Sequence, residues 1–176
     1  MNAYTELARQ TVENYAKTGQ TIPIPADLPP EFYSEKKGVF VTIFKAEGGQ
    51  KNLRGCVGTL APTRENIAEE ISQNAVWASQ DDNRFPPINE TELDKLAYEV
   101  SLLEPPERIR GAEDLDPERY GVIVEAQDGR TGLLLPAIEG VDSPLCQIGI
   151  AARKAGIDIT REEYVLFRFT VTKFEE

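Results

Sequence analysis

The strongest constraint on the fold is a pair of β-forming runs joined by two glycines. Residues 38–45 are dense in β-branched and aromatic side chains: Val39, Phe40, Val41, Thr42, Ile43 and Phe44. Such residues suit a pleated, half-buried surface. Gly48-Gly49 then supplies a tight turn, and residues 52–60 return as the second arm of a hairpin. That arm carries the run Leu53-Arg54-Gly55-Cys56-Val57-Gly58-Thr59. Period-two alternation places Arg54 and Cys56 on one face. Gly55 and Gly58 leave backbone uncovered, so that another group can approach closely.

The remaining elements point to one domain of mixed class. At 176 residues the chain is long enough to bury roughly 70% of its unfolded surface. Residues 4–17 have the spacing of an amphipathic helix, with Leu7, Ala8, Thr11, Val12 and Tyr15 on one side and Gly19 as cap. Ile22 to Pro30 holds four prolines and reads as an extended connector lying on the body. Thr63 is the expected N-cap of a helix to about Ser79, with Ile67, Ile71, Ala75 and Ala78 inward and Glu65, Glu69 and Glu70 elsewhere. Residues 81–87 form a loop, 91–96 a short helix and 98–103 a strand, broken by Pro105-Pro106. Asp116-Pro117 suggests a helix start. Residues 121–126 and 131–135 flank the turn pair Asp128-Gly129. Ser143-Pro144 opens a helix closed by Gly156, and residues 164–174 read as one long strand. Without regular βαβ alternation, this order predicts α+β with mainly antiparallel sheet and flanking helices.

Composition removes several function classes. The net charge is −11, with 19 basic residues against 30 acidic ones. A surface that binds nucleic acid neutralises phosphates with clustered Lys and Arg, and no such cluster occurs, so nucleic acid is not an expected partner. No stretch approaches the ~18 apolar residues of a membrane span, and the start of the chain does not read as a signal peptide. Two cysteines make no disulfide framework, so the expected compartment is the cytoplasm. With no histidine and two distant cysteines, a structural zinc site is not expected; a carboxylate site for magnesium or calcium stays open, but no calcium-loop spacing appears and no metal ligand is assigned. Neither a phosphate loop nor a dinucleotide fingerprint is present, so no cofactor is expected.

A few residues remain as candidates for chemistry. Cys56 is a nucleophile or redox thiol, or else a small packed hydrophobe. Cys146, on the predicted helix after Pro144, reads as a packed or partly exposed helix residue. Arg54, in an apolar strand, needs a carboxylate or a bound anion. Arg84 is a second anion clamp or a surface partner of Asp82, which in turn is a candidate base. Glu99 is the strand carboxylate best placed to meet Arg54 or Arg84. Without histidine, no Ser-His-Asp triad exists.

The run Leu53 to Thr59 resembles the signature of the AMMECR domain family, whose bacterial and archaeal members are called AmmeMemoRadiSam system protein A. Asp81-Asp82-Asn83-Arg84-Phe85-Pro86-Pro87 resembles that family's Asp-Pro-Arg-Phe-Pro-Pro segment, with Asn83 in place of the usual proline. Glu99-Val100-Ser101-Leu102-Leu103, Tyr120-Gly121-Val122-Ile123-Val124, Gly132-Leu133-Leu134-Leu135-Pro136 and Arg153-Lys154-Ala155-Gly156-Ile157 match further blocks. The resemblance implies two lobes, the larger from both chain ends and the smaller internal, with a cleft between them near the Arg-Gly-Cys motif. It also implies association with a Memo-like protein and a radical SAM enzyme. It leaves the reaction open; a role in nucleic-acid metabolism or RNA modification, suggested for the family, finds no support in the acidic balance here.

Three readings follow. In the first, the chain is an accessory or substrate-binding component, and its partners' cofactors carry the chemistry. In the second, it is an enzyme: Arg54, Gly55, Gly58, Thr59 and Arg84 hold a small anionic ligand in the cleft, Cys56 is the nucleophile or redox thiol, and Asp82 and Glu99 are acid-base candidates. In the third, the motif is structural, with Arg54 on a buried carboxylate and the glycines admitting a closely packed helix.

Overall fold

A computed structural model describes residues 2–176. In chain order its elements are α1 (Ala3–Thr18), α2 (Glu31–Ser34), β1 (Gly38–Glu47), β2 (Gln50–Thr59), α3 (Ile67–Gln80), a 3-10 helix (Glu90–Lys95), β3 (Leu96–Leu103), β4 (Glu107–Ile109), a 3-10 turn (Ala112–Asp114), β5 (Gly121–Ala126), β6 (Thr131–Leu134), α4 (Pro144–Lys154), β7 (Tyr164–Phe169) and β8 (Val171–Glu175). The fold is α+β, with antiparallel sheets and flanking helices. No described helix is long and apolar enough to cross a membrane.

The chain divides into two compact units. One comprises the residues up to Leu103 together with Thr172–Glu176. Its sheet runs β2-β1-β3-β8, with β1 antiparallel to both β2 and β3. The β1–β2 turn is the two-residue Gly48-Gly49 loop, both at positive φ, the backbone a tight hairpin requires. Helices α1 and α3 pack on each other and on this sheet. Leu7, Phe32, Ile43, Ile67 and Ile71 are wholly buried in the resulting core, each worth ~1.5–3 kcal/mol of apolar transfer. Ile22, Ile24 and Leu28 of the proline-rich connector pack against that core, as expected.

The second unit, Glu104–Val171, holds the sheet β4-β7-β5-β6 with α4 packed on β5 and β6. Val122, Val124, Ile148, Ala151 and Leu166 form its separate core. Ser143 caps α4 through its hydroxyl, with Pro144 in the first turn, where its missing N–H costs nothing.

The structure corrects four expectations. The N-cap of α3 is Asn66, whose side chain accepts from the Glu69 N–H, not Thr63. Glu70, placed outside the apolar stripe, is fully buried. Asp116-Pro117 opens a single turn, not a helix: the Asp116 carbonyl accepts from Arg119 and Tyr120 N–H, and the chain then enters β5. Residues 164–174 are two strands in different sheets, parted at Thr170. Their alternation runs on through the break, so the pattern carries no mark of it.

Gly55 and Gly149 make opposite demands. A Cβ on Gly55 would collide with the Ala78 carbonyl of α3, whereas one on Gly149 in α4 meets nothing. Gly55→Ala is expected to cost about 2 kcal/mol by overpacking. Gly149→Ala is expected to stabilise by roughly 0.5–1 kcal/mol. Urea midpoints of the two variants check both signs.

Candidate functional site

The site is built on β2 and on the segment that follows α3. Ile43 lies opposite Gly55, but Phe44 lies opposite Leu53, so Arg54 is the extra residue of a β-bulge. A bulge breaks simple alternation and re-aims a side chain. Arg54 therefore meets a different set of groups from Cys56. Its Nε and Nη2 donate to Glu92 Oε2 and Oε1 at 3.0 and 2.8 Å, a two-pronged pair buried at both ends. Glu92 Oε1 also accepts from the Asn89 N–H at 3.3 Å in the capping box that starts the 3-10 helix, and Lys45 Nζ stands 3.3 Å from its Oε2. Burial raises the Glu92 pKa, and hydrogen bonds from Arg54, Asn89 and Lys45 more than offset that, leaving it below the ordinary value. Of the two partners the sequence left open for Arg54, a carboxylate or a bound anion, Glu92 supplies the carboxylate.

Gly55 lies against α3, Gly58 lies under the Phe40 ring, and Thr59 donates its hydroxyl to Glu70 Oε1 at 2.6 Å. Each of these three proposed ligand contacts has a structural occupation. Glu70 also accepts from the Thr63 and Arg64 N–H groups, both at 2.7 Å, and from the Thr63 hydroxyl at 2.9 Å. Burial pushes the Glu70 pKa up; these bonds outweigh it and hold the group ionised. This carboxylate ties the β2–α3 connection to the helix.

Cys56 sits at the free edge of the sheet. Its N–H donates to Asp82 Oδ2 at 2.9 Å, and its carbonyl accepts from Arg84 Nη2 at 3.3 Å. Asp82 and Arg84 close a second two-pronged pair, Nε to Oδ1 at 2.9 Å and Nη2 to Oδ2 at 2.7 Å. Together they satisfy the two backbone groups that a neighbouring strand would otherwise take. The Arg84 hydrogen bonds, chiefly, bring the Asp82 pKa down to about 2, against some desolvation. A base for neutral solution needs a value near 7, so Asp82 serves as an acceptor here. The half-exposed Arg84 guanidinium lies 5.5 Å from the Phe85 ring centre, and that of Arg54 lies 6.0 Å from the same ring.

On the sheet face, Cys56, Thr42 and Glu99 form a row across β2, β1 and β3. Cys56 Sγ is 3.3 Å from Thr42 Oγ1. Burial pushes the Cys56 thiol up, and the opposing effects of Thr42 and Arg84 do not bring it back. Glu99 meets neither Arg54 nor Arg84; its nearest cation is Lys173 Nζ, at 4.0 Å. Burial raises its pKa, with Lys173 opposing. Among the described residues no three carboxylate or thiol groups converge as a metal site requires. Cys146 is a free, partly buried thiol in the first turn of α4, packed against the core of the second unit.

Glu92, Glu70 and Thr42 carry no site role in the sequence reading. For Glu92 a signal exists, because Asn89-x-x-Glu92 is a capping-box spacing. Nothing local distinguishes Glu70 from Glu69.

With this geometry in hand, comparison with known proteins is direct. The sequence matches the AMMECR1 family over residues 5–174. The chain belongs to the AMMECR1 family. A Thermotoga maritima protein is 43% identical over 98% of this chain and 97% of its own length. A Clostridium acetobutylicum protein is 41% identical over 98% of this chain, which spans only 36% of that longer protein. The crystal structure of the uncharacterized protein PH0010 from Pyrococcus horikoshii superposes with a TM-score of 0.86 at 36% identity, over 98% of this chain and 89% of that one.

Two outcomes are expected. Arg54→Met leaves Glu92 buried without its main partner and costs about 3 kcal/mol, most of it regained in Arg54→Met/Glu92→Leu, as read by denaturant titration. For Asp82, the folded pKa of about 2 lies below an unfolded value near ~3.9. Its contribution, roughly 2.5 kcal/mol, is therefore fully present above about pH 5 and lost as pH falls toward 2. Asp82→Asn is expected to flatten that acid limb in a stability–pH profile. Glu70 and Glu92, both lowered, act in the same direction.

Proposed function

We propose that this chain is an accessory, substrate- or partner-binding component that acts with a Memo-like protein and a radical SAM enzyme. The observation that carries this reading is the internal satisfaction of the Arg54–Cys56 motif. Arg54 is bound by Glu92, Asp82 by Arg84 and the Cys56 N–H, and the Cys56 thiol is raised and faces Thr42. A thiol nucleophile needs thiolate at working pH, favoured by a nearby cation and opposed by burial. Here burial prevails. The geometry suits a rigid surface, with the redox or radical steps supplied by the partners' cofactors. The Clostridium relative adds support, because there the same module makes up about a third of a longer chain.

The test is reconstitution with the Memo-like and radical SAM proteins of the same genome. The three are expected to co-elute, and turnover by the pair is expected to fall when this chain is left out. Equal turnover without it rejects the accessory role. Site-resolved alkylation distinguishes the enzyme reading. Cys56 is expected to react only above the usual thiol value of about 8.5, and Cys56→Ser to support turnover as well as the parent. An alkylation midpoint well below that value, with turnover lost in Cys56→Ser, establishes a catalytic thiol instead.

A further inference from the structure

The second unit carries an opening in its sheet edge. Within β5, Ala126 donates its N–H to the Arg130 carbonyl on the β6 side. Backbone groups in a strand alternate in direction, so Tyr164, the register partner of Ala126 in β7, turns its N–H and C=O away from β5. The Thr170 carbonyl, which accepts from the Glu104 N–H, shows the same parity at the other end of β7. Strand β4 covers this side of β7 at Arg168, Phe167 and Leu166, and stops at Ile109. Beyond that point the chain bends at Arg110 and Gly111, and by this alternation the Tyr164 amide and carbonyl face the opening.

A cavity of about 420 Å³ occupies this place, lined among others by Tyr164, Leu166, Arg108, Arg110, Leu145 and Ile148. Its polar and apolar groups are complementary in kind. Leu145, at the start of α4, is 70% exposed, the most exposed large hydrophobic residue of the described chain. Arg108 and Arg110 are exposed, and neither guanidinium has an ion-pair partner among the described residues, although Asp114 Oδ2 accepts from the Arg110 main-chain N–H at 3.0 Å; Arg130 of the same unit is held by Asp128 and Glu162, and Arg168 by Glu107. Two arginines whose guanidinium groups are not ion-paired thus stand beside an exposed leucine on a chain of net charge −11. A second cavity that shares Arg108, Tyr164 and Val165 with this one is also lined by Glu125, Glu162 and Glu163, so it disfavours acidic groups there.

We propose that this opening is a docking slot for an extended acidic segment of a partner protein. The segment adds to β7 beyond the end of β4, exchanging hydrogen bonds with the Tyr164 backbone. Its carboxylates meet Arg108 and Arg110, and an apolar side chain rests on Leu145. Main-chain pairing supplies affinity and the flanking groups supply selection. The proposal deepens the accessory reading above by assigning a surface for partner contact.

The test uses a fluorescein-labelled short peptide of alternating Glu and Val, read by anisotropy and by amide shifts in the NMR spectrum of the full chain. Saturable binding is expected, with shifts centred on Tyr164 and residues 108–112. Arg108→Glu/Arg110→Glu is expected to weaken it at least about tenfold, and Leu145→Asp to weaken it as well. These positions are exposed, so the variants keep the fold, which their spectra verify. A Lys-Val peptide is expected not to bind. Absent binding, shifts centred elsewhere, or unchanged binding by the double-charge variant overturns the slot. If the slot fails while the chain still co-elutes with its partners, the accessory role stands without it. If the peptide binds as described but no partner assembly forms, the slot stands and the accessory role falls.

Discussion

Helix α3 runs against β2 at a separation that only glycine permits. The Ala78 carbonyl occupies the space a Cβ on Gly55 would need. This approach sets the position of the helix end relative to the sheet edge, and much of the site depends on it. It delivers Asp82 to the Cys56 N–H and Arg84 to the Cys56 carbonyl. At the other end of the helix, Glu70 fastens the incoming loop to Thr59. Close packing, a capped strand edge and a buried carboxylate latch are thus one arrangement seen at three points.

The electrostatics of the motif follow from that arrangement. Burying a charge is costly unless it is paired and hydrogen-bonded. The motif meets this condition in two-pronged pairs: Arg54 with Glu92, and Arg84 with Asp82. The Nε and Nη2 donors of both arginines, which look available for an anion in the sequence, are committed to these carboxylates. The same packing desolvates Cys56 and raises its pKa. A cysteine near an arginine in sequence is therefore not a thiolate on that account, because the nearer arginine, Arg54, is turned to Glu92 by the bulge.

Much of the fold was legible from local pattern. The hairpin at Gly48-Gly49, the helix capped by Gly19, the Asp128-Gly129 hairpin and the Ser143-Pro144 helix start all follow from turn and cap chemistry, in which neighbouring residues decide the backbone. The misreadings share a different cause. Thr63 is a sound N-cap by type, yet Glu70 claims its hydroxyl and its N–H. Asp116-Pro117 makes its turn, but the chain enters β5 before a helix can extend. The run 164–174 alternates throughout, and the division at Thr170 is made by partner strands remote in sequence.

The sequence by itself determined the class of fold, the membership of the AMMECR1 family and the side chains gathered in the motif, because periodicity, turn residues and ordered blocks are local properties. Only the tertiary structure decided what those side chains do. The bulge that turns Arg54 toward Glu92, the use of Asp82 and Arg84 to close the edge at Cys56, and the exposure of Arg108 and Arg110 where β4 stops all depend on residues far apart in the chain. Their energies come from burial and pairing, and neither exists until the strands and helices are packed.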